Sequence, residues 1–394
     1  MFIVLIFAGA VAPAAAEESA AGQGGESVTA DPASQEPGPE FRIEGIRVLW
    51  YGFVPTGLDA SLTWNLPPWM EGRASKLFLK LGAGYEEMIL YRYADGSPIQ
   101  STSGIQREKL LRRQPNVQVE FGPVQGLLWN AQQERNLAEA FLLYRGRFDY
   151  HYDLYSVEPF LFQSSEFTDA QGLAGNSLLA GLSYGTETLN GHRVPRGIYA
   201  ESSAEWGPRW LANSLYGTSD FYRLNAQLRG FLPVFDVQPD RRLNLLSAYL
   251  CAMAAVDYSG GAEVPIYVMQ SFGGRSLRDG LGGSLRGFEK RAYDTELKTV
   301  VNLEARMNGP ALGHPALMPI AFLFFDAGGY AGYSNVPDGS AAAERSGLLA
   351  SWGFGAAVDF FGIEKVRATV GFPLYGERLD GESWELRIDF GLHF

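Results

Sequence analysis

The residues best suited to chemistry lie between 271 and 307, in SFGGRSLRDGLGGSLRGFEKRAYDTELKTVVNLEARM. Two glycine pairs there each lead to an arginine. Gly273-Gly274 precede a stretch ending in Arg278-Asp279, and Gly282-Gly283 precede Ser284-Leu285-Arg286-Gly287-Phe288. Only Arg286 is followed by Gly-Phe. A guanidinium is a rigid fork of donors that a carboxylate matches with two parallel hydrogen bonds. Glycines let a chain turn sharply and run close to a wall. Glu304 and Asp326 supply carboxylates downstream, whereas the adjacent acids Glu86 and Glu87 read as loop charges. Bond-making chemistry has no comparable signal. The histidines are His151, His192, His314 and His393. None stands near a G-x-S-x-G elbow or in an H-x-x-x-H pair, so neither a nucleophile with its base nor a metal site is indicated. The sequence predicts no enzyme, no metal and no cofactor.

Charge pairing of this kind needs elements that hold the groups in place, and those elements read as strands. In TVVNLEARM, Val301, Leu303, Ala305 and Met307 alternate with Asn302, Glu304 and Arg306. A period of two sends the two sets to opposite faces of a sheet. By the same parity Asp326 shares its face with Phe324 and Gly328. FYRLNAQL, SWGFGAAVDF and KVRATVGF alternate in the same way, around residues 221–228, 351–360 and 365–372. Polar residues recur on the second face too often for one solvated sheet edge. A polar lumen behind an apolar exterior accounts for both faces. No repeat of the length a propeller blade needs is present.

The final strand states this most clearly. Trp384, Leu386, Ile388, Phe390, Leu392 and Phe394 alternate with Glu385, Arg387, Asp389, Gly391 and His393. One face is wholly apolar and the other mostly charged, the pattern of a lipid-facing strand of an outer-membrane barrel. Trp50, Trp64, Trp210 and Trp384 fall near predicted strand ends, where aromatic girdles lie.

Composition agrees. Residues 1–16 form a short apolar segment ending in Ala14-Ala15-Ala16, which reads as a secretory signal too short to span a bilayer. Residues 17–40 are acidic and rich in Gly, Pro and Ser, and read as a disordered linker. No later stretch reaches the ~18 apolar residues of a spanning helix. The net charge of −12 excludes a nucleic-acid partner, whose phosphates need basic patches. Cys251 is the only cysteine, so no intrachain disulfide forms, and its apolar surroundings mark it as a small buried hydrophobe. Residues 41–394 remain for the barrel. At ~9–11 residues per membrane strand and similar allowances for connections, they predict about 16 strands, with 14 or 18 also compatible. The 178–207 and 335–350 stretches read as containing long extracellular connections.

In this order the motifs resemble the BamA/TamA superfamily of outer-membrane assembly proteins, the bacterial surface antigen barrels. That family carries an R-G-F/Y tripeptide on an extracellular loop folded back into the barrel, matched here by Arg286-Gly287-Phe288 after Gly282, Gly283 and Leu285. Phe325-Asp326-Ala327-Gly328 resembles its F-x-x-G strand, residues 353–374 its penultimate strand pair, and Pro195-Arg196-Gly197 a shortened form of its P-x-x-G element. The resemblance implies that Arg286 docks on Glu304 and Asp326 as the anchor of a plug loop. It implies an outer-membrane location, contact with lipid and lipopolysaccharide, and insertion or translocation of client proteins, with a periplasmic or lipoprotein partner or a homodimer as further associations. POTRA domains, usual in the family, are not expected, because the 17–40 linker leaves no room for one. A passive channel or structural barrel closed by its R-G-F loop is the competing expectation.

Overall fold

Fifteen strands carry the alternation among the described residues: β1 (Phe41–Tyr51), β2 (Val54–Leu66), β3 (Ser75–Ile89), β4 (Leu111–Asn130), β5 (Arg135–Tyr150), β6 (Gly172–Gly185), β7 (Thr188–Leu189), β8 (Pro195–Gly207), β9 (Asp220–Val237), β10 (Leu246–Glu263), β11 (Leu297–Asn308), β12 (Leu317–Tyr333), β13 (Glu344–Phe360), β14 (Glu364–Tyr375) and β15 (Glu385–Leu392). The computed structural model describes residues 41–392, except 52–53, 67–73, 94–97, 132–134, 151–171, 190–193, 238–245, 274–280, 313–316, 334–343 and 361–363. The signal segment 1–16, the linker 17–40, all four histidines and Phe394 lie outside the described residues.

The sheet is antiparallel and follows chain order from β1 to β15, with β7 set aside as a short partner of β8. Fourteen strands therefore make the path, fewer than the sixteen taken as the central value from length. The reason is strand length. β4 has 20 residues and β9 and β10 have 18 each, well beyond the ~9–11 that cross a bilayer. Residues assigned to connections belong to strands that continue past the membrane. Glu86 and Glu87, read as loop charges, lie within β3 for that reason.

Burial runs opposite to that of a water-soluble protein. Asn302, Glu304, Arg306 and Asp326 are buried, while Leu224, Leu228, Leu303, Leu323, Trp352 and Phe354 are exposed. An exposed apolar belt of this extent is unfavourable in water and favourable in lipid. The buried polar face is the lining of a barrel lumen. The chain is thus an all-β transmembrane barrel, its strands paired in sequence along the path from β1 to β15, which keeps their backbone groups satisfied in a bilayer.

The four longest connections (90–110, 151–171, 208–219, 264–296) all lie at one end, and none at the other (among them 131–134, 186–194, 309–316, 361–363) exceeds nine residues. Long connections are extracellular and short ones periplasmic in such barrels. The 178–207 stretch departs from its sequence reading. It is mostly β6 and β8, and its 186–194 connection lies at the short end, where β7 merely prolongs the hairpin. No β1–β15 ladder is among the described pairings. The two ends nevertheless approach. Thr102 N–H, between β3 and β4, donates to the Leu379 carbonyl between β14 and β15 at 2.7 Å. Loops from opposite ends of the path meet only if the sheet curls through nearly a full turn.

Candidate functional site

The 281–296 segment, between β10 and β11, is packed against the inner wall. Leu281, Leu285, Phe288 and Tyr293 join one apolar cluster with inward residues of β9, β10, β11 and β13, among them Phe231, Met253, Val300 and Leu349. Cys251 belongs to the same cluster and is buried. Lys298, fully buried on β11, clamps both legs of the connection. Its ammonium donates to the Met269 carbonyl at 2.5 Å and to the Thr295 carbonyl at 2.8 Å.

Glu304 and Asp326 face inward from β11 and β12, and both side chains are inaccessible. Carboxylates so placed need cations and donors, because desolvation of an unpaired charge costs several kcal/mol. Arg286 supplies them from the segment. Its Nε and Nη2 donate to the two Asp326 oxygens at 2.7 and 2.6 Å, and its backbone N–H adds a third bond at 2.9 Å. Nη1 donates to Glu304 Oε1, and Arg306 Nε to Glu304 Oε2. The guanidinium lies 3.9 Å from the centre of the Phe324 ring, a cation–π contact. Phe324 lies flat on the wall because its neighbour on β13 is Gly353, where a Cβ would fall 2.5 Å from the ring. The Ser351 hydroxyl donates to the Arg286 carbonyl.

The flanking glycines have distinct roles. Gly282 N–H donates to Asn302 Oδ1 at 2.6 Å. Gly283 borders a cavity of about 300 Å³ shared with Arg147 and Tyr267. Gly287 has φ +89° and passes so close to β14 that a Cβ on Gly371 would lie 2.7 Å from its nitrogen. The earlier glycine-rich copy ending in Arg278 falls mostly outside the described residues.

The segment is also tied to the last strand. Gly287 N–H donates to Glu385 Oε2 at 2.9 Å. Arg387 donates through Nη1 to Ser284 Oγ at 2.6 Å and through Nη2 to the Phe288 carbonyl at 3.0 Å. On the opposite face of the same strand end, Trp384, Leu386 and Ile388 are exposed toward lipid. Phe390 and Leu392 continue the β14–β15 ladder opposite Val366 and Glu364. From outside, Arg92 donates to Asp294 Oδ2 through Nε and Nη2 at 3.1 and 2.8 Å, so the 90–110 connection covers the segment.

Comparison with protein families matches residues 112–394 to the Omp85 superfamily domain. The chain belongs to the Omp85 superfamily. It is a bacterial outer-membrane β-barrel. Among solved structures it is similar to BamA from Haemophilus ducreyi lacking POTRA domains 1–3, with 13% identity and a TM-score of 0.47 over 86% of this chain and 62% of that one. It is also similar to CdiB from Escherichia coli, with 14% identity and a TM-score of 0.44 over 85% of this chain and 53% of that one. The Omp85 chain described here thus spans less than two-thirds of either structure's length. No curated protein matches it in sequence.

Sequence reasoning about this Omp85 barrel missed Glu385, Arg387, Ser351 and Asn302 as partners of the motif. Parity did place Glu385 and Arg387 on the polar face of the last strand. Which loop they meet, about 100 residues upstream, has no local signature.

Two results are expected from this geometry. Gly371→Ala removes no charge, yet its methyl would collide with the Gly287 backbone. It should lift the segment and increase proteolysis between residues 281 and 296; an unchanged digest would show that the close approach is not needed. The second concerns Glu289, which accepts from Asp380 N–H at 3.0 Å. Burial raises its carboxyl above the ordinary value, and Arg378 together with backbone donors offsets this only in part. The protonated form is the one the folded state favours. Its stabilisation is present below the usual carboxyl range and is lost as pH rises through the raised pKa. Proteolysis of the segment should therefore be slower near about pH 5 than near about pH 8. Glu289→Gln should remove the difference, and an equal pH dependence in that variant would assign the effect elsewhere.

Proposed function

We propose that this Omp85 barrel inserts or translocates client proteins at the bacterial outer membrane by opening a seam between β1 and β15. The observation that carries the reading is the double tie from the Arg286 segment to β15, through Glu385 and Arg387. One end of the segment's hydrogen bonding is fixed on the rigid β11–β12 wall, and the other is on a terminal strand. A segment attached in this way holds β15 in place while β1 departs. The exposed backbone edge of β15 then pairs with an incoming client strand, since an edge in lipid must find a partner.

In this reading Arg286, Glu304 and Asp326 are positioning residues and no bond is made or broken, so the barrel is not an enzyme. Residues 1–16 are a cleaved signal, 17–40 a linker and 41–394 the barrel. Lipid and lipopolysaccharide surround it, and a periplasmic or lipoprotein partner associates with it. A passive or structural barrel, single or paired, is the second reading. The completeness of the Arg286 network favours it, because a fully satisfied buried cluster also makes a permanent plug.

A photo-crosslinking residue at Leu386, exposed on β15, distinguishes them in living cells. The assembly reading expects adducts with many newly made outer-membrane proteins, appearing during their synthesis. Adducts with lipid alone, or with one fixed protein at all times, would refute it.

A further inference from the structure

A groove of about 1100 Å³ crosses the outward face from β8 to β12. Its floor is made by small residues, Gly230, Ala252 and Ala305, and its sides by Ile198, Leu250 and Leu323. The floor follows from register. Gly230 sits between Ile198 and Ala252, and Ala305 sits between Leu250 and Leu323. Adjacent strands thus present small side chains where the rest of the belt presents large ones. Crossing five strands takes four steps of about 4.8 Å, or roughly 19 Å, comparable to an extended acyl chain.

One end is not apolar. Arg196, exposed at the start of β8, lines the groove together with Thr186 and Thr188. Its Nε donates to Thr188 Oγ1 at 3.1 Å, which aims the guanidinium. Its two terminal nitrogens have no partner among the described residues. Glu187, between the two threonines, is engaged by Arg229 at 2.7 and 3.0 Å. The 186–194 connection beside Arg196 belongs to the short, periplasmic end, where phospholipid headgroups lie.

We propose that this groove is a binding site for an anionic phospholipid of the periplasmic leaflet, its phosphate forked by Arg196 and one acyl chain lying over Gly230, Ala252 and Ala305. A guanidinium whose two terminal nitrogens are unpartnered among the described residues matches two phosphate oxygens, and a concave apolar floor beyond it matches the chain. A second copy of the barrel fits less well. A two-fold contact here would set groove against groove and Arg196 near its own copy, leaving voids and like charges. The site is about half the barrel away from the β1–β15 seam, so it stands apart from the proposed activity.

Native mass spectrometry of the delipidated barrel in mild detergent tests it, with phosphatidylglycerol and phosphatidylcholine as probes. One phosphatidylglycerol should bind at least about tenfold more tightly than phosphatidylcholine. Arg196→Gln should erase that preference, weakening phosphatidylglycerol more than phosphatidylcholine. Gly230→Leu fills the floor and should weaken both lipids. There is room for it, since a Cβ there meets only Ile198 Cγ2 at 3.6 Å and the Gly197 carbonyl at 3.9 Å. Heat-modifiable gel mobility confirms that each variant is folded, and either variant alone suffices. Equal retention of the two lipids by the wild type would overturn the proposal, as would phosphatidylglycerol binding indifferent to both variants. Displacement by lipopolysaccharide, or a dimer dissociated by Gly230→Leu, would likewise overturn it by assigning the groove to the other leaflet or to a second copy.

Discussion

A disulfide joining β1 to β15, introduced in a Cys251→Ala background, should abolish insertion or translocation, and reduction should restore it. Alanine is the replacement of choice at 251 because the position belongs to a buried apolar cluster, where a hydroxyl would be left without a partner. The effect should be complete because the proposed mechanism has no other route for a client strand. Several features make this seam weaker than its neighbours. β15 has 8 residues, against 17 in β13, so it contributes fewer ladder bonds. Gly45 and Gly391 sit within the two terminal strands, where glycine weakens pairing. At the extracellular end the Thr102–Leu379 bond spans the two ends of the path and would have to give way as they part. The measurement is client insertion by crosslinked barrels with and without reductant. Full activity of the oxidised, crosslinked form would eliminate the seam mechanism and leave the passive barrel.

Arg286→Ala should release the 281–296 segment and destabilise the barrel by about 3–5 kcal/mol, the usual cost of breaking a buried ion pair from one side. The side chains involved are at most 6% exposed, so solvent screens little of this. The loss is unequal between the two acids. Glu304 keeps Arg306, whereas Asp326 loses both members of its fork. The variant should show a lower temperature for its heat-modifiable transition and rapid cleavage within 281–296. Adding Asp326→Asn to Arg286→Ala should recover part of the loss, because the stranded charge is then gone. Arg286→Lys should be intermediate, since an ammonium cannot fork onto a carboxylate. A single variant indistinguishable from wild type in both transition and digest would remove Arg286 as the anchor.

Much of this protein is written locally. Leu224 and Leu228 face lipid, and Asn302, Glu304 and Arg306 face the lumen, because a strand has a period of two and a bilayer rewards one face only. That rule needs no knowledge of neighbours, so barrel class, compartment and the two faces of strands such as β9, β11 and β15 were legible from sequence. Asp326 was less so. Its face also carries Phe322 and Phe324, and only the register with Gly353 and Gly355 explains how large rings lie flat on an inner wall. Strand number was set by how far β4, β9 and β10 extend beyond the membrane, which hydropathy does not limit once the chain leaves lipid. Tertiary structure alone decided that Glu385 and Arg387 reach Ser284, Gly287 and Phe288. It alone brought Thr102 to Leu379 and aligned Gly230, Ala252 and Ala305 across neighbouring strands. These contacts join residues far apart in sequence. They exist because a curled antiparallel sheet brings its two ends together and sets strand against strand, and alternation within a single strand carries no information about register or closure.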